Sequence, residues 1–186
     1  NVTVTESDPN VSTVYADGEV GVVDEGALDS VGSTPSSTAE STSGSFSITH
    51  SGTDTTAKLE VEDKDGVLID VTNSAAVTGD YGTLTVTNTA GVYTWEYDLA
   101  GSTQDHPTAD SVDTSEGIRD SFAVKVTDSS GDTANSSLAV DILDDGPTAV
   151  DDGPVLVDED STIGIDVFAN DTAGADGVDI VSDLGS

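Results

Sequence analysis

The chain has no cysteine and no methionine, and it sets only 4 lysines and arginines against 37 aspartates and glutamates. Without cysteine there is no disulfide framework to staple a small extracellular domain. With His50 and His106 as the only histidines, a transition-metal centre of the His/Cys kind is nearly excluded. A formal charge of −33 repels nucleic acid and anionic membranes, because the cations that would meet their phosphates are missing. No apolar run approaches the ~20 residues of a membrane span. Aromatics make up 4% of the 186 residues and apolar residues 34%, lean for a globular protein but above a wholly disordered one. The chain opens at Asn1 with no initiator methionine, charged n-region or apolar h-region and stops abruptly at Ser186, so it reads as a piece of something longer.

Signs of catalysis are also scarce. No Gly-x-Ser-x-Gly elbow occurs, no phosphate-binding glycine motif exists, and His106 sits in an acidic loop before Pro107. With 37 acids, a glycosidase-like carboxylate pair would arise by chance and carries no information. The expectation is a non-enzymatic protein.

What the chain does have is period-two alternation, the mark of half-buried strands. It runs through Phe46-Ser47-Ile48-Thr49, Leu59-Glu60-Val61-Glu62, Thr83-Leu84-Thr85-Val86-Thr87, Tyr93-Thr94-Trp95-Glu96-Tyr97, Phe122-Ala123-Val124-Lys125-Val126 and Leu138-Ala139-Val140-Asp141-Ile142. Turn clusters such as Asn88-Thr89-Ala90-Gly91 and Asp128-Ser129-Ser130-Gly131-Asp132 separate them. The pattern predicts an all-β chain, an antiparallel Ig-like or cadherin-like β-sandwich. Its core would be Phe46, Ile48, Leu59, Val61, Leu84, Val86, Tyr93, Trp95, Tyr97, Phe122, Val124, Val126, Leu138, Val140 and Ile142. The single Trp95 is most simply a core filler, with a sugar-stacking platform as the sharper alternative.

An internal repeat sets the expected boundary. Ala16-Asp17-Gly18-Glu19-Val20 and Val22-Val23-Asp24-Glu25-Gly26 resemble Asp151-Asp152-Gly153-Pro154-Val155 and Leu156-Val157-Asp158-Glu159-Asp160, with Gly21 as an insertion. Val23 and Val157 lie 134 positions apart (157 − 23), which suits tandem units joined head to tail. The division expected is an N-terminal segment 1–15 left over from a preceding unit, a sandwich 16–147, and the opening of a second sandwich over 148–186, with strands near 155–157 and 163–168. The Ser/Thr-rich stretch 30–38 reads as a loop.

The acids are clustered. The junction carries Asp144, Asp145, Asp151, Asp152, Asp158 and Glu159, and the matching start of the first unit carries Asp17, Asp24 and Glu25. Ca²⁺ takes six to eight hard oxygens from carboxylates and tight-loop carbonyls, and paired aspartates around a Gly-Pro linker supply both. Such an ion would cancel two charges and stiffen a hinge; the plain alternative is a solvated acidic linker. Asp63 with Asp65, and Asp128 with Asp132, are further candidates, each explained equally well as a turn former. The loop Gln104–Asp120, with Asp105, Asp110, Asp113, Glu116 and Asp120, and the loop around Asp171, Asp176 and Asp179 stand equally open. None of these is an EF-hand, since no Asp-x-Asp-x-Asp-Gly loop ends in the required glutamate.

From Gly82 to Pro147 the chain resembles the VCBS and related cadherin-like repeats of giant bacterial surface adhesins. The resemblance lies in Gly82-Thr83-Leu84-Thr85-Val86, Gly91-Val92-Tyr93-Thr94-Trp95-Glu96-Tyr97, Glu116-Gly117-Ile118-Arg119-Asp120-Ser121-Phe122, Val124-Lys125-Val126-Thr127-Asp128, Gly131-Asp132 and Asp144-Asp145-Gly146-Pro147. The stretch from Ala149 to Thr172 resembles the start of another such repeat. The resemblance implies a type I-secreted RTX-type adhesin working at the bacterial surface, whose Ca²⁺-stiffened extender repeats project ligand-binding regions for adhesion or biofilm formation. The Gly-Gly-x-Gly-x-Asp nonapeptide of that family is absent here. Partners would be neighbouring repeats of the same polypeptide, with any host ligand held elsewhere in the parent, and no nucleic acid or membrane insertion. The competing reading is a Ca²⁺-dependent module for sugar or peptide, or the flank of a split domain carrying one.

Overall fold

Strict in-and-out alternation builds the molecule. In Val92–Leu99 every second side chain, Tyr93, Trp95, Tyr97 and Leu99, is buried and the others are exposed. The computed structural model describes residues 8–16, 20–103, 118–175 and 177. Ten strands lie within them: β1 Asn10–Tyr15, β2 Gly21–Asp24, β3 Ser41–Thr49, β4 Thr56–Glu62, β5 Leu68–Asp70, β6 Ala75–Thr78, β7 Gly82–Thr89, β8 Val92–Leu99, β9 Arg119–Asp128 and β10 Thr133–Leu143. They form two five-stranded sheets, ordered β1-β3-β8-β7-β6 and β2-β10-β9-β4-β5. All pairs are antiparallel except β2 with β10, where Val23 lies beside Ile142. The result is a β-sandwich, as the alternation predicts.

The core between the sheets holds every apolar residue expected there except Ile48, which is only partly buried at its rim. Trp95 is a core filler: buried, it meets the Tyr15 ring edge-on at 5.6 Å. Gly44, opposite Trp95 in β3, leaves room for this, since a Cβ there would run into the indole and the Val14 carbonyl. The alternation did not single out Val11, Val23, Val71 or Val77, which lie in short strands or loops and are also buried.

Several boundaries differ from the sequence reading. Part of the segment 1–15 is integral to the sandwich, because β1 pairs with β3 along its whole length from Asn10↔Thr49 to Tyr15↔Gly44. Ser41–Gly44, polar as they are, continue β3 and pair with β8. The two strands expected near 155–157 and 163–168 do not form. Those residues are exposed, Leu156 to 96%. A strand needs a neighbour for its N–H and C=O groups, and over 148–175 the sole pairing among the described residues is an isolated bridge between Thr148 and Thr172. No helix of the described residues is long and apolar enough to cross a membrane.

Candidate metal centre at the junction

At the end of the sandwich where β10 leaves, two acidic stretches far apart in sequence come together. β2 runs into a single 3₁₀ turn, Glu25–Ala27, whose N-cap Asp24 accepts the Gly26 N–H at 2.8 Å. Asp145, just past β10, accepts the Ser33 N–H at 2.8 Å and the Ser33 hydroxyl at 2.6 Å, so it pins the loop after that turn. Gly26 lies between the two acids: a Cβ there would sit 3.0 Å from Asp24 Oδ1 and 3.4 Å from Asp145 Cγ. Glu25 is 0% exposed, and its Oε1 accepts the Thr103 N–H at 2.5 Å. Asp144, 8% exposed, completes the set. A buried carboxylate loses its hydration and must find donors or a cation to offset that cost. Close by on the sheet, Asp141 is paired with Arg119, whose guanidinium is held above its ordinary pKa by that hydrogen bond and charge.

Of the residues singled out from the sequence, Asp24, Glu25, Asp144 and Asp145 therefore belong to one end of the sandwich. Asp17 lies outside the described residues, as do Asp105, Asp110, Asp113, Glu116, Asp176 and Asp179. Asp151, Asp152, Asp158 and Glu159 are exposed on the segment that follows. Asp151 spends Oδ1 on the Gly153 N–H, and the Asp158 carbonyl accepts from Ser161. Asp63 closes the turn into β5 by accepting from the Asp65 and Val67 N–H groups at 3.0 and 2.8 Å, while Asp65 itself is exposed beside Lys64. Asp128 closes the β9–β10 hairpin: its Oδ1 accepts the N–H groups of Ser130, Gly131 and Asp132, and Ser130 Oγ bridges it to Asp132. The donor set at the junction fits Ca²⁺ in kind, being all hard oxygen. Among the described residues, however, no three His, Cys, Asp or Glu side chains are drawn within metal-holding distance of one another.

Two residues take roles the sequence reading does not give them. Asp120, expected in an acidic loop as a metal ligand or turn former, is in fact buried on β9. Asp120, 1% exposed, crosses between the sheets to accept the Asp80 and Tyr81 N–H groups at 3.1 Å each and the Tyr97 hydroxyl at 2.9 Å. Burial, then the charge and hydrogen bond of Asp120, push the Tyr97 phenol far above its ordinary pKa. The signal was present, since Asp120 is in phase with Phe122, Val124 and Val126 along β9. Ser33, the second, carried no signal beyond a Ser/Thr-rich loop. No protein-family model matches this chain, and a search of curated proteins finds no match.

Proposed function

We propose that the chain is a Ca²⁺-rigidified structural extender repeat of a large, type I-secreted bacterial surface adhesin of the VCBS, cadherin-like kind. In this reading it works outside the cell, is structural and not catalytic, and joins neighbouring repeats of the same polypeptide so that ligand-binding regions stand away from the surface. The observation that supports it is the placing of Asp24, Glu25, Asp144 and Asp145 at one end of the sandwich, where the chain leaves β10. Those four are the candidates to hold the ion, which would have to draw them closer together than they stand here. Ca²⁺ supplies a centre that several loop oxygens share and cancels two of the 33 net negative charges that oppose compaction. The Ser33–Asp145 and Gly26–Asp24 hydrogen bonds hold the loops in place around it.

The test is a thermal melt in about 5 mM CaCl₂, in EDTA, and in NaCl of matched ionic strength. At a Kd of ~10⁻⁴ M, usual at the tight end for extracellular modules, one site adds about 2 kcal/mol. In a chain this long, that is a rise of roughly 4–8 °C over both other conditions. A rise reproduced by NaCl would reduce the acids to a screened surface and remove the reading.

A further inference from the structure

Beyond the sandwich, residues 170–175 double back over the linker that leaves it. The Thr148 N–H donates to the Thr172 carbonyl and the Thr172 N–H to the Thr148 carbonyl, both at 2.9 Å. The Ala175 N–H donates to the Asp145 carbonyl at 2.9 Å, and the Val150 N–H to Asp171 Oδ1 at 2.7 Å. Ala175 is buried and belongs to the hydrophobic cluster of the sandwich. Between these contacts sits Gly174, at φ +68, where any Cβ would run into the Asp145 carbonyl and the Gly146 backbone. Position 174 thus requires glycine twice over, for its left-handed backbone and for the close approach. Asp145 holds both sides of the joint: its carboxylate grips Ser33 of the sandwich, and its carbonyl grips the returning segment.

We propose that residues 171–175 are a latch that fixes the start of the second unit against the sandwich through hydrogen bonds, three between backbone groups and one to the Asp171 carboxylate, that need no metal ion. A free linker would leave the Thr148, Val150 and Ala175 N–H groups to water and would place no demand on position 174. Here four bonds and one tightly fitted glycine close a loop from Asp145 to Ala175. This goes beyond the Ca²⁺ reading, because it assigns part of the joint's stiffness to the polypeptide alone, and the two can fail separately.

The absence of cysteine makes the test direct. Nitroxides on Val22→Cys and Leu156→Cys, both exposed positions, report the spread of distances across the joint by pulsed electron resonance. In excess EDTA the otherwise native chain should give one narrow distribution, and Gly174→Val one at least about twofold broader, as an unlatched loop samples more positions. A distribution unchanged by Gly174→Val, or one already as broad in the native chain, would overturn the latch. If Gly174→Val lowers the melting temperature of the sandwich itself, Thr148→Pro is read by the same criterion, since it deletes one latch donor without crowding the glycine. A latch that opens in the variants while Ca²⁺ changes neither width nor melting temperature would sink the metal reading and leave the latch standing.

Discussion

Single residues in this protein act mainly by satisfying backbone donors that the turns leave over. Asp120 meets three donors on the opposite sheet, two of them backbone amides, from a fully buried position. Replacing it with alanine strands those donors, and the expected loss is about 3 kcal/mol in urea unfolding with an unchanged m value. Tyr97 has its pKa raised in the fold, so its contribution is complete at neutral pH and below. It is lost as pH climbs past about 10, where the unfolded chain's tyrosine ionises and the folded one does not. Unfolding followed from pH 8 to 11 should show stability falling at the top of that range, and Tyr97→Phe should flatten that part of the curve. At the other end of the scale Asp128 is held below its usual pKa, first by the Ser130 hydroxyl and also by the hairpin amides. Its contribution is present at neutral pH and is lost as pH falls below about 4, and Asp128→Asn should remove that acid-side slope.

Among the elements, the β7–β8 hairpin is set by a two-residue turn. Thr89 pairs with Val92, and Ala90 and Gly91 both have positive φ, at 52 and 88. Right-handed strand twist favours such a turn, but alanine is strained in it, so Ala90→Asn should stabilise the protein by about 0.5–1 kcal/mol in denaturant melts. The edge strand β1 depends on Gly44. The methyl of Gly44→Ala would meet the Val14 carbonyl on one side and the Trp95 ring on the other. An expected cost of about 1–3 kcal/mol should fall mainly on β1. It should appear in hydrogen exchange as faster amides over Val11–Tyr15, with β7 and β9 unchanged.

At the level of the whole molecule, charge opposes the fold that burial favours. Changing Asp24, Asp144 and Asp145 together to asparagine relieves repulsion and keeps the Asp24 acceptor for the Gly26 N–H and one of the two Asp145 acceptors for Ser33, whose hydroxyl can turn to accept from the new amide. The triple variant should melt in EDTA at or above the native temperature and lose the increment that Ca²⁺ brings. An increment left intact would move the ion elsewhere. The apolar residues of the following segment, among them Leu156, Ile163, Ile165 and Phe168, remain exposed, so the 134-residue repeat is expressed in sequence without a second sandwich over 148–175.

The sequence by itself determined the sandwich and most of its core, because a period of two records which side of a sheet each residue faces. It also placed the acids at the junction. Tertiary structure alone decided that Glu25 is buried, since the Thr103 amide it meets lies 78 positions away. It decided likewise that Asp145 holds Ser33, 112 positions back, because closing those distances depends on β2 pairing in parallel with β10. β9 shows the boundary between the two: its alternation puts Asp120 and Asp128 inward, but only the opposite sheet shows that Asp120 meets Tyr97. Strand formation over 155–168 was lost for the same reason. Local alternation proposes a strand, and a hydrogen-bonding neighbour is what makes one.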